Sequence, residues 1–292
     1  MAFSVQYHAN PQDFMAQNKN VLLKHEAVNN QIFGFLSDAS NNTSDPFPLI
    51  ATIKLNPKIL GCALIPQKGQ PLILTPLPNN AATHLAEELA QQSTPLAGVT
   101  GAQKTVNTFV AAWCHATGDQ PHLAKNLGLF TATKCPDFSS ICDGNISDGD
   151  AIIAEEKHRQ QLIALCRGYI DACFPDETDK GRKAAQLADM HIEQQTALLW
   201  VNGAEEIVSI AVKQRDTPNM AAISLVYTPP KHRGKGYAAA AVATLSRMLQ
   251  TKGNKKCVLF ADLDHPFTAD FYRKIGYRQI ETMPRYTFKT QK

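Results

Sequence analysis

Apolar positions recur along this chain with two different periods. Between residues 49 and 77, the stretch LIATIKLNPKILGCALIPQKGQPLILTPL holds three short apolar runs, separated by Asn56-Pro57-Lys58 and by Gln67-Lys68-Gly69-Gln70. Turn formers between strand-length apolar runs predict an antiparallel meander. The period then becomes helical. In NNAATHLAEELAQQ, Leu85, Leu89 and the alanines between them fall on one face, with Asn80 or Thr83 available as N-cap. Val106, Val110 and Trp113 predict another helix over 102–116, and a strand follows over 127–133. Strands, helix and strand in that order predict an α+β first domain.

From Cys135 to Asp150 the sequence CPDFSSICDGNISDGD loses its period and gathers Gly, Ser, Asn and Asp. The interdomain connection is placed there, which gives an N-terminal domain of residues 1–140 and a C-terminal domain of residues 151–292. The second domain opens on a predicted helix, AEEKHRQQLIALCRGYIDACF, with Leu162, Leu165, Cys166 and Tyr169 in one stripe and Pro175 as its stop. Two strands are expected next, TALLWVNG and EEIVSIAVKQ, as a hairpin about Gly203, and then a third, NMAAISLVYT. The segment TPPKHRGKGYAA leads from that strand into the helix YAAAAVATLSRMLQ, whose apolar face is Val242, Leu245, Met248 and Leu249 and whose stop is Gly253. KKCVLFADL reads as a strand buried on both faces and parallel to the one before the helix, so these elements form a βαβ unit. In DHPFTADFYRKIGYRQI a last helix has Pro266 in its first turn, Phe267, Phe271 and Ile275 on one face, and Gly276 at its end.

The chain has 292 residues, of which 44% are hydrophobic and 19% charged, so it is long enough for two ordinary globular cores. A formal charge of +3 with the basic residues dispersed gives no reason to expect nucleic acid or an anionic membrane as partner. The first residues lack a basic segment followed by an apolar one, and the sequence holds no run of about 18 apolar residues, so a cytoplasmic protein is expected. Seven cysteines without CxxC spacing fit a reducing compartment and read as small core residues. No metal is expected. Asp143, Asn145 and Ser147 alternate as in a calcium loop, but Asp148 stands where that loop needs glycine and Ala154 where it needs glutamate. His25-Glu26 lacks the second histidine of HExxH, and Asn145 replaces the first glycine of GxSxG around Ser147.

The loop before the alanine-rich helix carries the chemistry. A helix N-terminus at Gly234 to Tyr237 presents unbonded N–H groups and a partial charge of about +0.5, which attract phosphate. Glycines at 234 and 236 permit close backbone approach, and Lys231, Arg233 and Lys235 add cations. Arg233-Gly234-Lys235-Gly236-Tyr237-Ala238 resembles the GNAT superfamily signature Q/R-x-x-G-x-G/A. Phe271-Tyr272-Arg273-Lys274-Ile275-Gly276-Tyr277 resembles the downstream tyrosine motif of the same superfamily, in the same order and spacing. Over residues 155–288 the chain is similar to bacterial predicted acetyltransferases with a tandem arrangement.

This resemblance implies a C-terminal GNAT-like fold, a splayed mixed sheet flanked by helices, with an N-terminal α+β domain that is a degenerate copy. It implies that main-chain N–H groups of Arg233, Gly234, Lys235, Gly236, Tyr237 and Ala238 hold the coenzyme A pyrophosphate. By the same likeness Val226, Tyr227 and Thr228 offer backbone groups to the pantetheine arm, and Tyr272 protonates the departing thiolate. The implied activity is direct acetyl transfer from acetyl-CoA to a primary amine on a small molecule or peptide, by a monomer or homodimer without metal. One departure is that His265 and Ala269 stand where many relatives carry asparagines.

An amine of pKa about 10.4 must lose a proton at a cost of roughly 4 to 5 kcal/mol at pH 7, an α-amine only about 1 kcal/mol. No base is assigned: Ser209, Ser224 and Tyr227 are poor bases, and Glu205, Glu206 and His232 are expected to face solvent. Two rival readings stand beside this one. Gly234 to Ala239 also fits G-x-G-x-x-A, with Asp262 or Asp264 after the next strand, as in dinucleotide-binding oxidoreductases. The other is a non-catalytic acyl-CoA-binding sensor or scaffold. In the first domain, Leu96 to Ala102 (LAGVTGA) reads either as the remnant of a cofactor loop or as a capped turn.

Overall fold

The same order of elements, namely strand, two helices, three strands, helix, strand, helix and strand, runs twice along the chain. The computed structural model describes residues 2–41, 47–132, 148–253, 255–265 and 267–289. The first pass is β1 (Phe3–Tyr7), α1 (Pro11–Lys24), α2 (Asn30–Asn41), β2 (Leu49–Leu55), β3 (Lys58–Ile65), β4 (Leu72–Leu74), α3 (Asn79–Gln91), β5 (Gly98–Gly101), α4 (Gln103–Thr117) and β6 (Gln120–Ala132). The second is β7 (Asp150–Ile153), α5 (Arg159–Cys173), α6 (Lys180–Glu193), β8 (Ala197–Val201), β9 (Ile207–Asp216), β10 (Met220–Tyr227), α7 (Tyr237–Gly253), β11 (Lys256–Asp262), α8 (Thr268–Lys274) and β12 (Arg278–Lys289).

Two compact units result, and they do not follow the chain in series. The first comprises Met1–Leu129, Phe260–Pro266 and Gln279–Lys292, the second Phe130–Leu259 and Phe267–Arg278. In the first unit β2 pairs antiparallel with β1 and β3, β4 runs parallel to β5, and β12 pairs antiparallel with β5 through Tyr286↔Val99. Leu85 and Leu89 of α3 and Phe109 and Trp113 of α4 pack with Ala51, Ile53 and Ala63 of the meander, and Tyr286 and Phe288 of β12 join that core. Phe14, Leu22 and Ile32 of α1 and α2 form a separate core with Ile50, Cys62, Leu64 and Ile73, the alternate positions on the same strands. Helix α1 starts cleanly because Asn10 accepts hydrogen bonds from the Gln12 and Asp13 N–H groups and Pro11 supplies a preset φ.

In the second unit β7, β8, β9 and β10 form an antiparallel run, and β11 joins β10 in parallel. Ala197, Leu199, Ile210, Val212 and Leu225 pack against Leu162, Leu165, Ala184 and Ala188 of α5 and α6. The alternate residues Leu198 and Ala211 point to the other face, where α7 lies on β8, β9 and β10. Four fully buried alanines, Ala239, Ala240, Ala241 and Ala243, let that helix approach the sheet closely.

The β10–β11 ladder holds only the pairs Met220↔Lys256, Ala221↔Cys257 and Ala222↔Val258. Beyond Ala222, β10 has no partner on that side among the described residues, which leaves a splayed sheet with an open backbone edge. On its β9 side, β10 carries a bulge between Ser224 and Tyr227, and Leu225 within it has φ of 49°. A leucine in this region costs on the order of 1 to 3 kcal/mol, a strain held by the packing around it.

The meander, the helices α3 and α4, the hairpin, and the βαβ unit stand where the sequence places them. Several elements go beyond it. β1, α1, α2, β7 and β12 carry no reading in the sequence analysis, and α6 intervenes where the hairpin was expected to follow α5 directly. α6 buries Ala184, Ala188 and His191 and packs Leu187 and Ile192 against the same core. β6 begins at Gln120 instead of 127, because its first five residues are exposed and polar positions hide its period. Helix α3 starts after Pro78 with no side-chain cap, so neither Asn80 nor Thr83 serves as expected. Asp143, Asn145 and Ser147, and most of the expected connection at 135–150, lie outside the described residues.

Candidate cofactor and acyl-transfer site

All the expected site residues belong to the second unit. Thr228 follows the open edge of β10; a short 3-10 helix at Pro230–His232 then turns the chain, and Gly234 and Gly236 take φ values of 79° and 81° before α7 begins. Both glycines are needed, since side chains are strained in this left-handed region. The first local helical bond is from the Ala240 N–H to the Gly236 carbonyl. Among the described residues, the N–H groups of Gly234, Lys235, Gly236, Tyr237, Ala238 and Ala239 donate to no carbonyl or side chain. The loop is thus a row of unsatisfied donors at a helix N-terminus.

Neighbouring side chains fix this row in place. The Arg233 Nε–H donates to the Thr228 carbonyl at 3.0 Å, and its guanidinium lies 5.9 Å from the centre of the Tyr227 ring. Lys231 and Lys235 are exposed. The Tyr237 hydroxyl donates to Asp148 Oδ1 at 2.8 Å, while Asp148 Oδ2 accepts from the Gly203 N–H at 3.1 Å. Burial and the Asp148 carboxylate both raise the Tyr237 phenol above its ordinary pKa. Ser209 Oγ donates to the Tyr227 carbonyl at 3.2 Å and sits 2.8 Å from Thr228 Oγ1. The carbonyls of Tyr227 and Thr228 therefore already accept bonds from side chains. Tyr227 packs on Gly168 of α5, where a Cβ would come within 2.5 Å of its ring.

Tyr272 lies in α8 and is 7% exposed, wedged edge-on against Phe271 at 5.0 Å and Tyr277 at 6.0 Å, with Phe130 at 6.1 Å. Tyr277 is itself fixed by Ser246 of α7, 2.7 Å from its hydroxyl. Burial raises the Tyr272 phenol far above its ordinary pKa, and the nearby Tyr169 and Cys173 of α5 add to this. Tyr169 is raised to about 12, chiefly by burial and Cys173, against the opposing effect of bonds from the Ser224 hydroxyl and the Leu225 N–H. Tyr169 packs in one core with Leu225 of the bulge and with Tyr227.

Beside it, α5, α6 and their connection flank an open groove of about 320 Å³ lined by Tyr169, Ile170, Phe174, Leu187 and Met190, with Glu177, Lys183 and Gln186 at its polar positions. Sequence reasoning missed this groove because it missed α6. It missed the bulge because SLVY reads as uninterrupted strand. A glycine inside the α5 stripe at Gly168 was the one legible signal of close approach.

Other expectations change. His232 is 7% exposed and edge-on to the Tyr237 ring at 6.5 Å, so it does not face solvent as expected; Glu205 and Glu206 do. His265 is exposed, and α8 takes Phe267 as its N-cap, without a side-chain cap. Leu96 to Ala102 is neither a cofactor-loop remnant nor a side-chain-capped turn: it forms β5 and the uncapped start of α4. The place in the first half that matches the loop before α7 is Thr75 to Pro78 before α3, shorter and without glycine. The dinucleotide alternative fails on topology, because β7 to β10 of the second unit run antiparallel, whereas a doubly wound fold needs successive parallel units. Among the described residues no cluster of His, Cys, Asp or Glu could hold a metal ion, and no helix is long and apolar enough to cross a membrane.

A mixed α/β protein whose strand opens beside a glycine loop and helix N-terminus has the fold of the GNAT acetyltransferases, here with the element order run twice. Residues 193–286 match the family model described as FR47-like protein. The structure is similar to an acetyltransferase of the GNAT family from Colwellia psychrerythraea, with a TM-score of 0.60 at 12% identity, covering 98% of this chain and 100% of that one. It is also similar to a GCN5-related N-acetyltransferase from Sphaerobacter thermophilus, with a TM-score of 0.64 at 13% identity over 98% of this chain and 95% of the other. A tandem GNAT protein from the clavulanic acid biosynthesis pathway aligns over 100% of this chain and 99% of its own, at 11% identity and a TM-score of 0.55. A comparison with curated protein sequences gives no match. At these identities the likeness establishes the fold.

Proposed function

We propose that the second unit binds acetyl-CoA and transfers its acetyl group directly to a primary amine. The observation that carries this reading is the run of unbonded N–H groups from Gly234 to Ala239, directly continuous with the open edge of β10. The loop matches the two negative charges of a pyrophosphate, and the edge matches the amide-bearing pantetheine arm. Lys231 and Lys235 stand exposed nearby as further cations.

Attack by the amine on the thioester carbonyl forms the C–N bond, breaks the C–S bond and moves negative charge first to the carbonyl oxygen, then to sulfur. Tyr272 is suited to the sulfur as a hydrogen-bond donor. Because its phenol is so much less acidic than an ordinary thiol of pKa about 8.5, complete proton transfer from it is uphill. Tyr272 therefore stabilises the thiolate by donation, and the proton shed by the attacking amine restores the neutral thiol. Much of the rate would come from orientation, since effective molarities reach about 10⁵ M or more.

The test is calorimetric titration with coenzyme A and acetyl-CoA, followed by incubation of acetyl-CoA with amines and detection of free thiol and product mass. Binding with product formation is expected. Binding without any acetylated product would make the protein an acyl-CoA sensor or scaffold, and absence of binding would remove the reading altogether.

A further inference from the structure

We infer that the groove between α5 and α6 receives the apolar body of the acceptor, so that the substrate is a compact primary amine carried on an aromatic or aliphatic group. This rests on the acyltransferase reading and assigns its second substrate. The groove and the proposed reaction centre meet at Tyr169, whose ring lines the first and packs in one core with Leu225 and Tyr227 of β10, next to Gly168, whose added Cβ would come within 2.5 Å of the Tyr227 ring. An amine that reached the thioester from this side would leave its body among Ile170, Phe174, Leu187 and Met190.

The charges of the groove are already balanced. Lys183 forms an ion pair with Glu177, and the Glu177 carboxylate also accepts from the Thr178 N–H at 3.0 Å. This pairing with Lys183 holds the Glu177 carboxyl below its usual pKa. A second positive charge on the acceptor would thus find no unpaired carboxylate there, and a carboxylate on the acceptor would have to displace Glu177 from Lys183. Phe174 is 46% exposed and stands edge-on to Tyr169 at 6.0 Å, an aromatic wall open to a ligand. A volume of about 320 Å³ is at the small end of ligand sites, which favours a single ring or short chain.

The test compares benzylamine with spermidine as acceptors of the intact protein, with Leu187→Gln and Met190→Gln as groove variants. Benzylamine is expected to exceed spermidine at least tenfold in kcat/KM. Each variant is expected to raise the benzylamine KM several-fold while leaving the acetyl-CoA dissociation constant unchanged, which also shows that the variant is folded. A preference for spermidine, or a benzylamine KM indifferent to both substitutions, overturns the assignment while the acyltransferase reading survives. Should neither amine be acetylated, benzylamine binding is read by calorimetry. Binding that is weakened by Leu187→Gln keeps the groove assignment and removes catalysis, whereas no binding removes the groove assignment.

Discussion

Tyr272 is enclosed by three aromatic rings, and its raised pKa keeps the phenol protonated throughout the neutral range. Tyr272→Phe retains the packing and removes one donor. Turnover is expected to fall on the order of 100-fold, as for loss of one hydrogen-bond donor to developing charge, with the acetyl-CoA dissociation constant within about twofold. Single-turnover kinetics with a titration of the variant checks this, and unchanged turnover would withdraw Tyr272 from the chemistry. His191, 2% exposed with Nδ1 2.8 Å from Thr196 Oγ1, makes a separate prediction about stability. Burial lowers its pKa to about 4 from an ordinary 6.5. The folded state is thus reluctant to bind a proton that the unfolded chain accepts. The contribution is whole above pH 6.5 and is lost as the pH falls through about 4, up to about 3 kcal/mol. Urea titrations between pH 7 and pH 4 should show this slope in the native protein and a shallower one in His191→Gln.

At the level of elements, the loop from Thr228 to Tyr237 works because two residues adopt a conformation that only glycine takes without strain, and because side chains brace it from both ends. Gly236→Val adds a branched side chain at φ of 81° and is expected to weaken acetyl-CoA binding at least tenfold, about 1.4 kcal/mol, with a far smaller effect on the melting temperature of the rest of the unit. Calorimetry beside thermal unfolding separates the two. This loop was legible in the sequence because it is local: strand, glycines, cations and helix are contiguous. The bulge at Leu225 was not, because its strain is imposed by α5 and β9. The groove was not legible either, since it depends on how α6 packs beside α5, a tertiary pairing that neither helix's own sequence records.

For the whole molecule, repetition of the element order raises the question of how many cofactors one chain holds. The matching connection in the first half, Thr75 to Pro78, has no glycine, and the Leu77 N–H is already taken by Thr105 Oγ1 at 2.9 Å. Titration is expected to give one acetyl-CoA per chain; two equivalents would show a second site in the first unit. The last strand also binds the halves of the sequence to a common fate. Tyr286 and Phe288 of β12 pack in the core of the first unit, and Phe288 lies 5.7 Å from Trp113. A chain truncated after residue 278 strips β5 of that partner and uncovers this core, so loss of soluble first-unit fold is expected, as read by near-ultraviolet dichroism and limited proteolysis. Sequence alone determined the short-range features: the meander, the periodic helices, and the phosphate-type loop with its downstream tyrosine, because each is written within one or two turns of chain. Tertiary structure alone decided which face each element buries, where β10 parts from β11, that β12 completes the first unit, and that Tyr169 meets the bulge. Those outcomes follow from competition among distant segments for the same apolar surface and ladder hydrogen bonds, which no local pattern records.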